Sequence, residues 1–422
     1  MNAVTTTATA PLATPVRAAP ACVTDPVPVA AALVPLLAAH AEACEREGKI
    51  QPAVMDALRA AGLFHITAPR RAGGPGGTLQ THVETVAQLA QGCVGTAWAF
   101  CLLSGVTGTV LGFPPAVTDI VFRTGNELLC SASAPTATAT PVPGGYRVTG
   151  KWGYGSGSRH ADWALNGVQL LDDTGAVTEM AMVFIDLRDP ACALLDDWHV
   201  AGMAGSGSNS IVATDLFVPE ALILHTAHAP SAEVLLGLPG IEPRDLWPME
   251  SLFPLGVLPP MLGAATAILQ AVVRATGARP VVGWTYENQA ASQTLNAMIG
   301  QSALEIDSAW MHIRRATGLM DDTASTRPLT GFDKAQIQAD CGFAMGLLRT
   351  AGNRLLDVAG PGAFALGNPL QRFWRDLNVG TRHNALSSHL STELYGRALT
   401  GQPSNLRLLP DIGPAPVWAT VA

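Results

Sequence analysis

The sequence predicts an α+β fold in three parts: a helical domain, a β-domain and a second helical domain. Three observations support this prediction. Hydrophobic residues make up 48% of the 422 residues and charged residues only 14%, which is enough apolar surface for a large core. Apolar positions recur at helical spacing before about residue 122 and again after about residue 246. Between about residues 128 and 236 the apolar period changes to two, and Gly, Pro and Asp turns separate the segments.

The N-terminal helical domain is assigned to residues 28–126. Val54, Leu58 and Ala61 share one face of a helix that ends at the following glycine. Further helices are predicted over residues 83–90 and 96–111. Residues 1–27 are rich in Ala, Thr and Pro and lack an apolar segment after a basic start, so we expect a disordered tail and not a signal peptide.

The middle β-domain is assigned to residues 127–240. Its segments alternate or are continuously apolar, which is typical of short strands in an antiparallel unit. The predicted strands are Tyr146–Thr149, Asp162–Leu170, Met180–Asp186 and Ile211–Val218.

The C-terminal bundle is assigned to residues 241–405, with a tail over 406–422. Apolar side chains from Leu295 to Ile313 recur at steps of three and four, and long helices joined by short linkers favour an antiparallel bundle. The apolar run Gly256–Val273 is interrupted by two prolines and a glutamine, which predicts a buried core helix and no membrane span.

Charge and cysteine usage exclude several classes of function. The net charge of -8 and the absence of a basic cluster argue against a nucleic-acid partner. The seven cysteines are scattered without CxxC spacing, which indicates reduced thiols and a cytoplasmic location. The histidines show no metal-binding spacing, and His225 and His228 lie in a predicted loop, so no metal site is expected.

A glycine-rich stretch, Trp152–Trp163, is the first candidate for chemistry. Its glycines at 153, 155 and 157 let the backbone approach a flat ligand, and Ser156 offers a hydroxyl. Strand-like sequence lies on both sides of the stretch, which excludes a dinucleotide-binding turn because that turn must open a helix. A plain glycine-rich β-turn is the alternative.

Two further segments complete the pattern. Gly202–Asn209 is a predicted turn that follows Trp198, and Gln371–Asn384 carries an Arg-Asp pair and His383. Together with the His-Ala-Asp-Trp run that ends at Trp163, these segments resemble the acyl-CoA dehydrogenase superfamily over roughly residues 30 to 400. The nearest resemblance is to its branch of two-component, reduced-flavin-dependent (group D) aromatic monooxygenases.

The resemblance implies an N-terminal helical domain, a middle antiparallel β-domain and a C-terminal four-helix bundle through which homotetramers form. It also implies roles for individual residues. Ser156 would lie near the N5–C4a edge of the flavin as a catalytic residue. The implied cofactor-binding residues are Trp152, Ser133, Ser156, Gly157, Trp198, Arg279 and Arg375. The implied substrate-binding residues are Trp98, Thr107 and Asn384.

The C-terminal segment distinguishes two chemistries within the superfamily. Dehydrogenases need a carboxylate base, often nine residues after the arginine of the Arg-Asp pair, and here that position is Asn384. The second family position for this base is near Phe253, although Glu250 lies one turn away. His383 instead matches a histidine of aromatic hydroxylases, whose imidazole deprotonates a phenol or hydrogen-bonds a flavin hydroperoxide. The stretch 103–109 has no second histidine, which leaves Ser104, Thr107 or Thr109 as alternative hydroxyl groups.

The implied function is the oxygenase component of a two-component flavin-dependent monooxygenase. It would take reduced FMN or FAD from a separate NAD(P)H-dependent reductase and use O2 as co-substrate. Through a C4a-hydroperoxyflavin it would oxygenate an apolar phenolic, indolic or fused-ring aromatic. The alternatives are an acyl-CoA dehydrogenase or oxidase with a non-standard base, and a non-catalytic flavin-binding relative.

Overall fold

The structure is a computed structural model, and it describes residues 23–415. The predicted disordered tail therefore lies outside the described residues, apart from residues 23–27. Pro26 stands in the first turn of the first helix, where its missing N–H costs nothing, and Gly48 ends that helix in the left-handed region. The N-terminal helices are α1 Pro26–Glu47, α2 Pro52–Ala60, α3 Leu79–Ala90, α4 Val94–Val110 and α5 Pro115–Val121.

Helix α4 is the central element of this domain. Its sequence is apolar on nearly all sides, and residues on every face of the helix are buried. It packs against the sheet on one side and against the C-terminal helices on the other. Side chains from α4 can therefore meet residues of both other domains.

The middle domain is one seven-stranded sheet in the order β5-β6-β2-β1-β3-β4-β7. Its strands are β1 Leu129–Val142, β2 Gly145–Gly155, β3 Trp163–Leu171, β4 Val177–Asp186, β5 Cys192–Leu194, β6 Asn209–Pro219 and β7 Ile223–Leu224. The predicted antiparallel arrangement is confirmed for every pair except β1–β3, which is parallel. After β2 the chain crosses to the other edge of β1, so β3 runs opposite to β2 and with β1.

A bulge interrupts the parallel pair at the place where Ser133 lies. The register between β1 and β3 shifts between Ala132 and Ala137, which takes residues 133–136 out of the ladder. Gly167 faces the bulge, and a Cβ there would lie 2.1 Å from the Ser133 carbonyl oxygen. The close approach requires glycine at this position, and it leaves the Ser133 side chain exposed.

The C-terminal helices form the predicted bundle. They are α6 Ala232–Leu236, α7 Met249–Val257, α8 Pro259–Thr276, α9 Gln293–Gly318, α10 Gly331–Ala359, α11 Pro369–Gly380 and α12 Ser388–Thr400. Helix α10 packs against α8, α9, α11 and α12. Leu409 and Ile412 are buried against this bundle, so the folded chain extends beyond the predicted boundary at residue 405.

Two helical segments of the described chain are long and apolar enough to cross a membrane by length and composition alone, Pro26–Glu47 and Met249–Thr276. Most of the second is buried inside the protein. The predicted core helix is confirmed for the part that forms α8, where Met261, Leu262 and Ile268 are fully buried in the bundle core, but residues 256 and 257 belong to the end of α7.

One buried arginine joins the N-terminal and C-terminal domains. The Arg244 guanidinium donates to the backbone carbonyls of Thr67 and Gly108, and it lies 5.5 Å from the ring centroid of Trp247. Burial lowers the pKa of Arg244 to about 10, which still leaves it charged at neutral pH. This side chain satisfies carbonyl groups that water cannot reach.

Candidate active site

The turn after β2 brings Ser156 against helix α4. Tyr154 and Gly157 both adopt positive φ, at 62° and 76°. The Ser156 N–H donates to the Tyr154 carbonyl at 2.9 Å, and the Gly157 N–H donates to the Ser206 carbonyl at 3.0 Å. A Cβ on Gly157 would lie 2.9 Å from the Leu103 side chain. Glycine at 157 therefore allows the close contact with α4 that positions Ser156.

A chain of buried hydroxyl groups runs through Ser156. The indole N–H of Trp98 donates to Ser156 Oγ at 3.0 Å, and Ser156 Oγ lies 2.7 Å from Ser208 Oγ. Ser208 Oγ lies 2.7 Å from Ser206 Oγ, which donates to the Met203 carbonyl at 2.7 Å. Trp98 was predicted to contact substrate, and it does meet the predicted catalytic serine.

His383 also lies beside Trp98. The two ring centroids are 5.9 Å apart, and Phe253 lies 6.0 Å from the imidazole. His383 Nδ1 accepts the Ala385 N–H at 3.3 Å. Burial lowers the pKa of His383, so the imidazole is neutral at neutral pH. A neutral ring that accepts at Nδ1 carries its proton on Nε2. The two predicted catalytic residues, Ser156 and His383, are thus brought together around one tryptophan.

The Arg-Asp pair of α11 holds the loop that carries the other two serines. Arg375 Nη1 donates to the Ala201 carbonyl at 2.7 Å, and the same guanidinium forms an ion pair with Glu45. The Asp376 carboxyl accepts the Met203 N–H. The Arg375 guanidinium is engaged within the chain and positions this loop, and its predicted contact with the cofactor stays a prediction.

Asp376 should make stability depend on pH. Burial raises its pKa to about 7, above the unfolded value near 3.8. The folded state therefore binds this proton more tightly, so the stabilisation is complete below the unfolded pKa and is lost as the pH rises through 7. We expect wild type to lose roughly 2–4 kcal/mol more than Asp376→Asn between pH 5 and pH 8.

Urea unfolding at both pH values and one protein concentration measures this difference. Burial lowers the pKa of His383, which affects stability with the opposite sign, but His383 is present in both proteins and cancels in the comparison. Equal pH slopes for wild type and Asp376→Asn would contradict the prediction.

Two predicted contacts with ligands are corrected by the structure. Trp152 is 1% exposed and its indole N–H donates to the Gly167 carbonyl at 2.6 Å, so it fills the core between strands and has no ring face for a flavin. Thr107 is 0% exposed and its hydroxyl oxygen accepts the Leu129 N–H at 3.0 Å, which ties α4 to β1 and does not contact substrate. Both side chains belong to the core.

An aromatic pair that the sequence analysis did not fully identify lies beside the Ser156 turn. Trp198, a predicted cofactor residue, is half-buried and donates its indole N–H to the Met203 carbonyl at 3.0 Å. Tyr154 meets it edge-on at 5.7 Å and is 75% exposed. The signal available in the sequence was a tyrosine between two glycines; the structure shows that this tyrosine adopts a positive φ, and such strained backbone is concentrated at functional sites.

Arg279 and Asn384 lie at different distances from this cluster. Asn384 is the exposed neighbour of His383. Arg279 follows the far end of α8 and donates to the Ala359 carbonyl at 2.6 Å. It is separated by roughly 25 Å of helix from Met261, which packs near Trp98. Within one chain Arg279 is therefore not part of the cluster around Ser156.

A histidine outside the predicted stretch contacts α4. His82 of α3 is 2% exposed, and its Nε2 lies 2.9 Å from Ser104 Oγ. Burial lowers the pKa of His82 to about 4, so it is neutral. Ser104 is as deeply buried as its partner. This pair joins α3 and α4.

The arrangement fits a flat, polar-edged ring. The bulge at 133–136 presents Ser133 outside the ladder, Tyr154 and Trp198 supply aromatic surface, and Ser156 lies at the end of the hydroxyl chain. In the part of the chain that the structure describes, no group of three His, Cys, Asp or Glu side chains could hold a metal ion.

Comparison with known proteins decides the family. Models of the N-terminal and C-terminal domains of acyl-CoA dehydrogenases match residues 29–113 and 255–388. Among solved structures, XiaF from Streptomyces sp. in complex with FADH2 and glycerol has a TM-score of 0.85 and 31% identity, covering 90% of this chain and 96% of that chain. The chain belongs to the acyl-CoA dehydrogenase superfamily.

Curated relatives place this superfamily member in the oxygenase branch. It is 28% identical to the flavin-dependent monooxygenase oxygenase subunit HsaA of Rhodococcus jostii, over 88% of this chain and 97% of that protein. It is also 28% identical to the oxygenase component of the FADH2-dependent resorcinol hydroxylase of Rhizobium sp., over 88% and 93%. The predicted fold class, the flavin-dependent monooxygenase activity and the use of reduced flavin are confirmed.

Proposed function

We propose that this protein is an oxygenase component that receives reduced flavin from a separate reductase and transfers one atom of O2 to an apolar aromatic substrate. The observation that carries the proposal is the contact of His383 with Trp98 and Phe253, next to the position where dehydrogenases require an acid. The residue in register with the dehydrogenase base is Asn384.

Each part of the cluster has a distinct role. The reduced flavin, when bound, supplies the electrons that activate O2. With the flavin bound, Ser156 would contact the edge of its ring, and Ser133, Tyr154 and Trp198 would hold the ring in place. Trp98 and Phe253 form an apolar wall against which an aromatic substrate packs and which keeps water away from the reacting atoms.

His383 acts as a hydrogen-bond donor to the substrate oxygen. Its Nδ1 is occupied by the Ala385 N–H, so the neutral ring presents Nε2–H. A base would need an unprotonated nitrogen aimed at the phenol, and the nitrogen that is unprotonated here faces the backbone. The donor orients the substrate and stabilises negative charge as it develops on the substrate oxygen.

The relatives' names define the class of substrate to test. They include hydroxylases of resorcinol and p-hydroxyphenylacetate and an indole-3-acetate monooxygenase. The protein should be mixed anaerobically with photoreduced FMN or FAD and a phenol, an indole or a fused-ring aromatic, and then exposed to ¹⁸O2.

Product that gains one ¹⁸O atom by mass spectrometry is the expected result. A sample without protein and a sample with catalase exclude oxidation by free peroxide. If every aromatic is recovered unchanged while reduced flavin binds and is oxidised, the proposal fails.

The rival activity, acyl-CoA oxidation, has one remaining candidate base. Glu250 Oε1 lies 2.7 Å from Lys334 Nζ, so this carboxylate is held in an ion pair on α7 and α10. That pairing argues against a base for an α-proton. Bleaching of bound oxidised FAD by an acyl-CoA would support the rival activity instead.

We also propose a cytoplasmic homotetramer assembled through the C-terminal bundle. Leu304 and Met311 are each 68% exposed on the outer face of α9, an apolar surface of the kind that a second subunit covers. Arg279, remote from its own Ser156, is then available for the flavin phosphates of a neighbouring subunit. Light scattering coupled to gel filtration tests the assembly, and a monomer at micromolar concentration contradicts it.

A further inference from the structure

The buried hydroxyl chain through Ser156 has just enough hydrogens for its contacts. It comprises four contacts, which join Trp98 to Ser156, Ser156 to Ser208, Ser208 to Ser206, and Ser206 to the Met203 carbonyl. Four hydrogens are available, one on the indole nitrogen and one on each serine oxygen. Each contact therefore receives one hydrogen and no hydrogen is left over.

The two ends of the chain fix the direction of every hydrogen bond. The Met203 carbonyl can only accept, so Ser206 must donate to it. The Ser206–Ser208 contact must then use the Ser208 hydrogen, and the Ser156–Ser208 contact must use the Ser156 hydrogen. The Trp98 indole nitrogen can only donate, which agrees with this order at the other end.

The ends are themselves held in place. The Met203 carbonyl also accepts the Trp198 indole N–H, and the Met203 N–H is held by Asp376. Reversing the chain would leave two oxygen atoms 2.7 Å apart with no hydrogen between them at Met203, and burial makes that arrangement costly.

Ser156 is consequently left with one free lone pair and no free hydrogen. It can accept a hydrogen bond from a ligand and cannot donate one. The reduced flavin ring carries a hydrogen on N5, whereas N5 of the oxidised ring has only a lone pair. An acceptor facing N5 therefore favours the reduced ring and disfavours the oxidised one.

We propose that Ser206 and Ser208 are positioning residues that lock the Ser156 hydroxyl as an acceptor, so that the site selects reduced over oxidised flavin. The proposal rests on the function proposed above, since it assumes that Ser156 meets the flavin ring at N5. Ser206 and Ser208 act through Ser156 and need not touch the flavin themselves.

The test measures the dissociation constant of oxidised FMN divided by that of reduced FMN, and the same ratio for FAD. Ser208→Ala removes the acceptor of the Ser156 hydrogen, which then turns toward an oxidised N5. We expect the ratio to fall about 10-fold, mainly through tighter binding of oxidised flavin. A 10-fold change corresponds to a shift of about 30 mV in the midpoint potential of the bound flavin, to more negative values.

Three further variants complete the design. Ser206→Ala should act like Ser208→Ala. Without the Ser206 hydroxyl, Ser208 donates its hydrogen to Ser156, and the Ser156 hydrogen becomes free to turn toward the flavin. The test therefore remains possible if one of the two variants does not fold. Ser208→Thr keeps the hydroxyl and should restore the wild-type ratio. Ser210→Ala is the matched control and should leave the ratio unchanged, because Ser210 is a buried serine at the start of β6 that interacts with Asp197.

The outcomes separate the two proposals. If wild type binds neither flavin form, the proposed function fails. If wild type prefers reduced flavin but the Ser208→Ala and Ser206→Ala variants keep its ratio, the function stands and the locking role of the serines is wrong. The supporting result is a lower ratio of the two dissociation constants in both Ser208→Ala and Ser206→Ala, with the wild-type ratio restored in Ser208→Thr.

Discussion

Replacing His383 with phenylalanine should lower the rate of substrate oxygenation by about 10²–10³-fold, the usual effect of losing one donor aimed at developing charge. Phenylalanine keeps an aromatic ring between Trp98 and Phe253 but removes Nε2–H. Consumption of O2 should continue and its product should be peroxide, because the residues around Ser156 are untouched. Product yield and peroxide, measured on the same samples, report the two fates.

A glutamine at this position distinguishes a donor from a base. His383→Gln offers an amide N–H and has no basic nitrogen, so a donor role predicts product formation within about 10-fold of wild type. A base role predicts that glutamine is as inactive as phenylalanine. His389→Phe on the exposed face of α12 is the matched control and should behave as wild type. Full activity of His383→Phe would remove the histidine from the mechanism.

Replacing Arg244 with methionine should lower the free energy of unfolding by about 3–5 kcal/mol. Methionine fills much of the space, but the carbonyls of Thr67 and Gly108 then lose their donor in a site that water cannot reach. The loss is larger than for an ordinary surface arginine because this side chain connects the 67–77 loop, α4 and the segment before α7.

Chemical denaturation of wild type and variant at one protein concentration measures the difference. Arg314→Met is the control, since Arg314 is exposed and only its stem and charge lie over the Trp310 ring. We expect it to change stability by less than about 1 kcal/mol. An equal effect of the two substitutions would contradict the buried role of Arg244.

The helices were predictable because their apolar positions repeat over many turns. The stripe from Leu295 to Ile313 lies on α9, and the apolar run over 256–273 lies on the end of α7 and on α8. The parallel β1–β3 pair was not predictable in the same way. Strand pairing depends on contacts between distant segments, and β1 is built largely from small Ala, Ser and Thr residues that carry little periodic signal.

The motifs identified site residues correctly where the chemistry requires a particular side chain. They failed where the packing of the fold determines whether a side chain is buried or accessible. Ser156 and His383 came from matching segments and do share Trp98. Trp152 was assigned to the flavin by the same match. It lies four residues after Val148 on β2, so both side chains point to the same face of the sheet, which is the core face.

The partners of Ser156 could not be read from spacing alone. Ser206 and Ser208 stand in a turn fifty residues downstream, and only the folded loop shows that their hydroxyls meet Ser156. His82 could not be predicted for a related reason. It lies on α3, outside the stretch 103–109, and only the folded structure shows that it contacts Ser104 of α4.

The hydrogen bonds by which Arg375 and Asp376 hold Ala201 and Met203 have a consequence for protein engineering. The helix that carries these residues also leads directly into His383, so one short segment positions both that histidine and the loop that carries Ser206 and Ser208. If Ser206 and Ser208 lock Ser156 as proposed, mutagenesis libraries that remodel α11 to admit bulkier compounds should keep positions 375 and 376 constant, because changes there would also alter the preference for reduced flavin.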